Sequence, residues 1–205
     1  MRYSPSPVQT VRILALSALL LAAAACNPLE NKTQSMSYLV IENLMGLDES
    51  GKVADYVASD VLFQDPDTGD TSIIADIATA TISARQLDPD PIAGTSPYAD
   101  VQLTHYTVTY TRSDGRNKPG VDVSYPFDGD LTVLLKVNIA TEFGFIIVRE
   151  SAKQEPPLLD LLQGGSRAEI IYTTATVDFY GHDLTGAEVK VTGAISVRFA
   201  NFANG

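Results

Sequence analysis

The chain has 205 residues, of which 45% are hydrophobic, and this is enough apolar material to bury the core of one ordinary domain. Its formal net charge is −11, from 25 acidic and 14 basic residues without a basic cluster, so binding to nucleic acid is excluded. Cys26 is the only cysteine, which excludes an intrachain disulfide. Nine Tyr and seven Phe, with no Trp and with many Val, Ile and Thr, favour strands over helices.

The first 25 residues have the composition of an export signal. Arg2 and Arg12 flank its start, and the apolar run over residues 13–25 is short for a membrane span. Small residues close the run, as they do before a signal-peptide cleavage site. A cleaved signal peptide is therefore predicted rather than a membrane helix.

Residues 22–26, with the sequence AAAAC, resemble the lipobox of bacterial lipoproteins. In that family, small residues precede a cysteine that is lipidated on sulfur and becomes the N-terminus after cleavage. The resemblance implies that Cys26 is lipidated and anchors the protein to a membrane of the cell envelope. In that family, an Asp directly after the cysteine is a signal for retention in the inner membrane. The residue at this position is Asn27, so the resemblance implies the outer membrane, with the domain facing the periplasm or the cell surface. The alternative is an ordinary small-x-small cleavage site with an incidental cysteine.

The chain after the signal divides into a tether and a domain. Residues 26–36 form the lipid-anchored tether, which is polar beyond Cys26 and lacks a hydrophobic period, and residues 37–203 form the domain. Removing residues 1–25 takes away two arginines and no acid, so the mature chain would carry a net charge of −13. Partners that are neutral, cationic or metal ions are expected.

Eight runs rich in β-branched and aromatic residues follow, separated by clusters of Gly, Pro, Asp and Asn. These predicted strands cover residues 38–44, 57–63, 73–87, 101–112, 131–139, 143–149, 168–180 and 187–202. Their spacing predicts an all-β fold, an antiparallel two-sheet sandwich of immunoglobulin-like topology. Besides the N-terminal signal helix, one short helix is expected near residues 156–163.

The last two predicted strands read as a hairpin. Apolar and polar residues alternate over residues 171–179 and again over 187–199, which places one face of each strand in the core. Gly181 and Gly186 bound a predicted loop between them, where positive φ angles are needed.

The run over residues 101–110 contains an irregularity. Its apolar phase slips between Leu103 and Tyr106, so a regular strand would turn one of them away from the core. A β-bulge near Thr104 or His105 is therefore predicted.

Two acidic connectors, residues 64–71 and 88–100, are predicted surface loops. In the first, Asp65, Asp67 and Asp70 place carboxylates close together, as a Ca²⁺ site requires. The spacing does not fit the EF-hand template, because the sixth and twelfth positions from Asp65 are Asp70 and Asp76. The two interpretations are a calcium site and a solvated acidic turn.

Residues 111–130 form the most distinctive stretch, an Arg-rich turn punctuated by Gly. Together with residues 179–202 it resembles uncharacterised exported bacterial proteins that are predicted to be immunoglobulin-like sandwiches, a resemblance that implies no particular activity. Arg112 and Arg116 are candidates for a recognition loop. The favoured alternative is a structural loop in which both pair with nearby acids, because turn chemistry explains the Asp, Gly, Asn and Pro between them.

No catalytic motif is visible in the sequence. His105 and His182 are the only histidines and fall in a predicted strand and a predicted loop, and the common zinc-protease and serine-hydrolase motifs are missing. The prediction is a non-enzymatic, lipid-anchored envelope protein, structural or protein-binding, without a cofactor unless calcium binds. The alternative is a carbohydrate- or calcium-assisted binding module that uses surface tyrosines such as Tyr98 and Tyr125.

Overall fold

Strands dominate the computed structural model of the protein, which describes residues 34–65, 67–88, 90, 94, 96–162 and 170–202. The predicted signal peptide, Cys26 and the tether up to residue 33 lie outside the described residues. An all-β fold is confirmed. No helix in the described part of the chain is both long and apolar enough to cross a membrane.

The described residues form two sheets and one small ribbon. The first sheet contains β1 (Ser37–Leu47), β2 (Val53–Ala54), β6 (Asp76–Gln86) and β9 (Ala140–Val148). Its strand order is β2-β1-β6-β9, and it is antiparallel throughout. The second sheet contains β3 (Tyr56–Asp60), β7 (Val101–Thr111), β8 (Phe127–Leu135), β10 (Ile171–Asp183) and β11 (Glu188–Ala200). The ribbon pairs β4 (Phe63–Gln64) with β5 (Thr71–Ser72).

The second sheet corrects the prediction of a wholly antiparallel sandwich. Its order is β3-β11-β10-β7-β8, and β3 runs parallel to β11, with Tyr56 opposite Ser196 and Asp60 opposite Ala200. Parallel neighbours are joined by long connections rather than hairpins, and the alternation within a strand does not encode its direction. The sequence pattern therefore predicts the strand but not its orientation.

The predicted final hairpin is confirmed, with a tighter turn than expected. Residues 171–179 pair with 191–199 in continuous register, and Ile171, Thr173, Ala175, Val177 and Phe179 are all buried. The pairing continues to His182 opposite Glu188, so Gly181 lies inside β10 rather than in a loop. Gly186, at φ +91°, occupies the turn itself.

The β-bulge predicted near Thr104 or His105 is confirmed. Toward β10, Tyr180 pairs with His105 and Gly181 with Leu103, which leaves Thr104 as the extra residue. The pairing with β8 shifts at the same place. Both apolar positions consequently face the core, since Leu103 and Tyr106 are buried.

Among the described residues, two short helices replace the single one expected near residues 156–163. The predicted helix is present as α2 (Leu158–Leu162), and α1 (Glu150–Lys153) precedes it. A 3₁₀ turn over Pro97–Ala99 interrupts the second predicted loop. These elements are only three to five residues long, which is too short for a helical hydrophobic period to reveal them.

Aromatic side chains fill the space between the sheets. Phe179 of the second sheet lies edge-on to Phe143 and Phe145 of the first, with ring centroids 5.8 and 5.2 Å apart. The Tyr106 hydroxyl donates to the Ile146 carbonyl at 3.0 Å and accepts from the Ile146 amide at 3.1 Å. The two sheets are therefore joined by packing and by a partly buried polar link.

The strand register defines two ends of the sandwich. The proximal end is the one at which the chain enters β1, near Ser35, and it contains the β10–β11 turn and the 3₁₀ turn. The distal end is the other one, where β1 finishes at Leu47, β6 begins at Asp76 and β9 finishes at Val148. The Arg-rich loop between β7 and β8 also lies at the distal end.

Candidate functional site

A cleft with a volume of about 850 Å³ opens at the distal end. The turn after β1, strand β3, the β4–β5 ribbon and the segment leading into β6 form its walls, together with Phe202 near the C-terminus. Volumes of 300–1,000 Å³ are typical of ligand-binding clefts. The cleft is thus large enough to accept a small molecule or several residues of an extended polypeptide.

Much of the cleft surface is apolar and accessible. Ile77 is 60% exposed, Leu47 46% and Ile74 41%. Phe63 and Phe202 are half-buried beside them. Ile77 continues onto the outer face of the first sheet, where it pairs directly with the exposed Ile146 of β9. An accessible apolar surface of this kind in a concave position favours association with a partner.

Five carboxylates surround this apolar surface, and the described residues that line the cleft include no Lys, Arg or His. They are Asp48, Glu49, Asp60, Asp65 and Asp76. Asp48 accepts hydrogen bonds from the Lys52 and Ser50 amides, and the Lys52 amide bond is the main cause that lowers the pKa of this carboxyl. Glu49 accepts from the Tyr56 hydroxyl at 2.7 Å. Internal bonds therefore hold the carboxylates in place. Two of them also face a cation, because Asp76 is paired with Lys153 and Glu49 lies 3.8 Å from the Arg198 guanidinium, so the cleft is less negative than five carboxylates alone would make it.

A buried ion pair supports the base of the cleft. Lys153 of α1 is completely buried, and its ammonium lies 2.9 Å from the Asp76 carboxylate at the start of β6. It also donates to the Asp60 carbonyl at 2.7 Å, while the Ser59 hydroxyl donates to Asp76 at 2.6 Å. Burial raises the pKa of Asp76, although the neighbouring ammonium acts in the opposite direction. This cluster fixes α1, β3 and β6 relative to one another.

The predicted acidic loop is the turn of the β4–β5 ribbon. The Asp65 carboxylate accepts from the backbone amides of Asp67 and Thr68, at 2.8 and 3.2 Å, and so closes the turn. Among the described residues, which include Asp65, Asp67 and Asp70, no group of three or more His, Cys, Asp or Glu side chains is arranged to hold a metal ion. The Asp65 carboxylate therefore has a structural role in the turn. Calcium binding stays a prediction, and the arrangement of the described carboxylates does not support it.

The Arg-rich loop matches the favoured structural interpretation. Arg112 makes two bonds to the Asp114 carboxylate, at 3.1 and 2.7 Å, and Arg116 makes a third at 3.1 Å. The bonds from Arg112 are the main cause that lowers the pKa of Asp114 far below its ordinary value. Both guanidinium groups therefore donate hydrogen bonds to the carboxylate of Asp114 within the same turn. Whether the loop also recognises a ligand stays a prediction.

The remaining predicted residues do not converge on one site. His105 is stacked on Tyr180, with ring centroids 4.6 Å apart, on the solvent side of β7 and β10, and His182 lies near the proximal end. Tyr98 precedes β7 at the proximal end, whereas Tyr125 precedes β8 at the distal end. Strand geometry separates these tyrosines by roughly 20 Å, and carbohydrate binding by either of them stays a prediction.

Comparison with protein-family models, with curated proteins and with solved structures finds no match to this chain. Its own surfaces and side chains are therefore the basis on which a function is proposed.

The sequence patterns indicated neither the cleft nor the ion pair beneath it. Lys153 and Asp76 are 77 positions apart, and each stands in a segment without a chemical motif. A lysine and an aspartate look solvent-exposed in a sequence because most such residues are. Only the pairing of β6 with β9, which carries the chain into α1, brings these two together.

Proposed function

We propose that this chain is a non-enzymatic, lipid-anchored protein of the bacterial cell envelope, and that its distal cleft binds an extended segment of another envelope protein. The lipobox-like residues that end at Cys26 support the anchor, and Asn27 supports the outer membrane. The observation that carries the binding role is the cleft itself, where exposed apolar side chains lie among fixed carboxylates. Immunoglobulin-like topology belongs to the same proposal and is supported by the mainly antiparallel pairing.

The chemistry of the cleft defines the partner segment. Apolar side chains of the partner would cover Leu47, Ile74 and Ile77 and remove that surface from water. Lysine or arginine side chains would lie against the surrounding carboxylates, and the charge of −13 on the mature chain would favour the encounter. A segment that combines aliphatic and basic residues is therefore the expected ligand.

Site-specific photocrosslinking in living cells tests this binding role. A photoreactive phenylalanine analogue at position 77 is expected to give a discrete crosslinked product in the envelope of the source bacterium. The matched control is position 121, because Val121 is 55% exposed at the same end of the sandwich but does not line the cleft. Mass spectrometry of the product should identify an envelope protein joined through a segment rich in basic and aliphatic residues.

Two results would contradict the proposal. One is equal labelling from positions 77 and 121, which would indicate random collisions at the distal end. The other is a product joined through an acidic or wholly polar segment, because the cleft would repel it.

A further inference from the structure

Large apolar side chains are also exposed around the proximal end. We name this set the apolar rim; its members are Met36, Leu87, Tyr98, Ile139 and Leu184, each between 37 and 64% exposed. They come from five separate segments, so no single sequence pattern indicates them. Single apolar residues are ordinary on a protein surface. Five of them around one end of a sandwich form an apolar surface of the kind that favours contact with a partner or a membrane.

Backbone hydrogen bonds hold the rim residues at this end. The Leu87 amide donates to the Met36 carbonyl at 2.9 Å, and the Leu184 amide donates to the Tyr98 carbonyl at 3.1 Å. The Asn138 amide, next to Ile139, donates to the Ala84 carbonyl near the end of β6 at 2.8 Å. These backbone hydrogen bonds hold the segments that carry the rim residues next to one another.

The length of chain before the domain indicates what covers the rim. Seven residues, 27–33, separate Cys26 from Gln34, the first described residue. Even fully extended, the eight steps from Cys26 to Gln34 span at most about 29 Å. β10 alone, with 13 residues, is roughly 43 Å long. A lipid on Cys26 would therefore hold the proximal end close to the bilayer and the distal cleft away from it.

We propose that the apolar rim rests on the surface of the lipid bilayer and orients the domain with its distal cleft pointing away from the membrane. This inference rests on the proposed lipid anchor. Tyr98 has the chemistry of an interfacial residue, with an apolar ring and a polar hydroxyl. Asp88 and Asp90, which are exposed nearby, disfavour a strongly anionic surface, so the rim fits a bilayer rich in zwitterionic phosphatidylethanolamine.

Tryptophan fluorescence tests the contact directly, because the chain contains no Trp. The Tyr98→Trp protein, purified in its lipidated form, is placed in vesicles of phosphatidylethanolamine with a minor fraction of phosphatidylglycerol. Brominated acyl chains in these vesicles should quench the emission at least about twofold. The matched control is Tyr125→Trp, which places the probe at an exposed position of the distal end and should show no quenching. Adding Leu184→Glu to the Tyr98→Trp protein should weaken the quenching, because a charge in the rim opposes contact with lipid.

The outcomes separate this inference from the proposed anchor. A lipidated protein in which both probes are quenched equally, or in which the probe at position 98 is not quenched, would overturn the orientation alone. A chain that carries no lipid and does not associate with the vesicles would overturn the anchor and the orientation together.

Discussion

Replacing Lys153 with Met is expected to lower the free energy of unfolding by about 3–5 kcal/mol, because it leaves a buried carboxylate without its cation. Asp76 is largely shielded from water and accepts bonds from Lys153 at 2.9 Å and from Ser59 at 2.6 Å. Methionine fills a similar volume but supplies no charge and no donor. Urea unfolding at pH 7, followed by circular dichroism, measures the difference.

Two controls show whether the loss comes from the buried ion pair. Lys190→Met removes an ion pair with Asp178 whose lysine is exposed, and it should lower the free energy of unfolding far less than Lys153→Met does. Adding Asp76→Asn to Lys153→Met removes the stranded charge and should recover part of the stability. Burial raises the pKa of Asp76, and removing Lys153 takes away the ammonium that opposes this effect. Protonation of Asp76 would relieve the unpaired charge, so the loss in Lys153→Met should shrink as the pH falls toward the ordinary pKa of 3.8. A loss of less than about 1 kcal/mol at pH 7 would show that the ion pair between Lys153 and Asp76 does not stabilise the base of the cleft.

Replacing Asp183 with Asn should cost about 2 kcal/mol at pH 7, because this carboxylate organises the proximal end. It is completely buried and accepts from the Ser35 hydroxyl at 2.9 Å and from the Met36, Thr185 and Ala187 amides at 2.9–3.1 Å. An asparagine keeps one accepting oxygen and turns the other into a donor, so some of these donors lose their partner.

The stability that Asp183 contributes should also depend on pH. Burial is the largest single effect and raises the pKa of Asp183, but the hydrogen bonds, with that from the Thr185 side chain first among them, together outweigh it and lower the pKa to about 2. A carboxylate whose folded pKa is depressed stabilises the fold above its unfolded pKa, near 3.8, and loses that contribution as the pH falls through the folded value. The difference in the free energy of unfolding between wild type and Asp183→Asn should therefore be full above about pH 5 and become smaller toward pH 2.

The exposed Asp128 on β8 supplies the control, because Asp128→Asn should change stability by less than about 0.5 kcal/mol. A gap that stays constant from pH 7 to pH 2 would show that the charge of Asp183 is not the source of the stability.

Sequence patterns predicted the fold well where a strand has one buried face. The alternation over residues 171–179 predicts the buried side of β10, and the slip between Leu103 and Tyr106 predicts the bulge at Thr104. Burial of alternate side chains is a local property, so the pattern within a strand records it. Strand ends were less predictable. β8 begins at Phe127, four residues before the predicted start, because residues 127–130, FDGD, have the composition of a turn.

The candidate site depends on contacts that local patterns do not encode. The cleft exists because β3, β1 and the β4–β5 ribbon meet at one end, and each belongs to a different hydrogen-bonded pairing. Asp65 was singled out for its charge, yet its carboxylate closes a turn. The role of a charged residue depends on which backbone amides and side chains surround it, and those neighbours are set by tertiary structure.

The proposed lipid anchor on Cys26 is tested by the mass of the mature N-terminal peptide. The full precursor is produced in a bacterium with a C-terminal tag, beside a Cys26→Ala variant, and the N-terminal peptide of each is analysed by mass spectrometry. We expect a peptide that starts at Cys26 and carries a diacylglyceryl group, with both the lipid and the membrane association lost in the variant. An unmodified peptide that starts at Cys26 or beyond would contradict the anchor, and with it the orientation of the domain on a membrane.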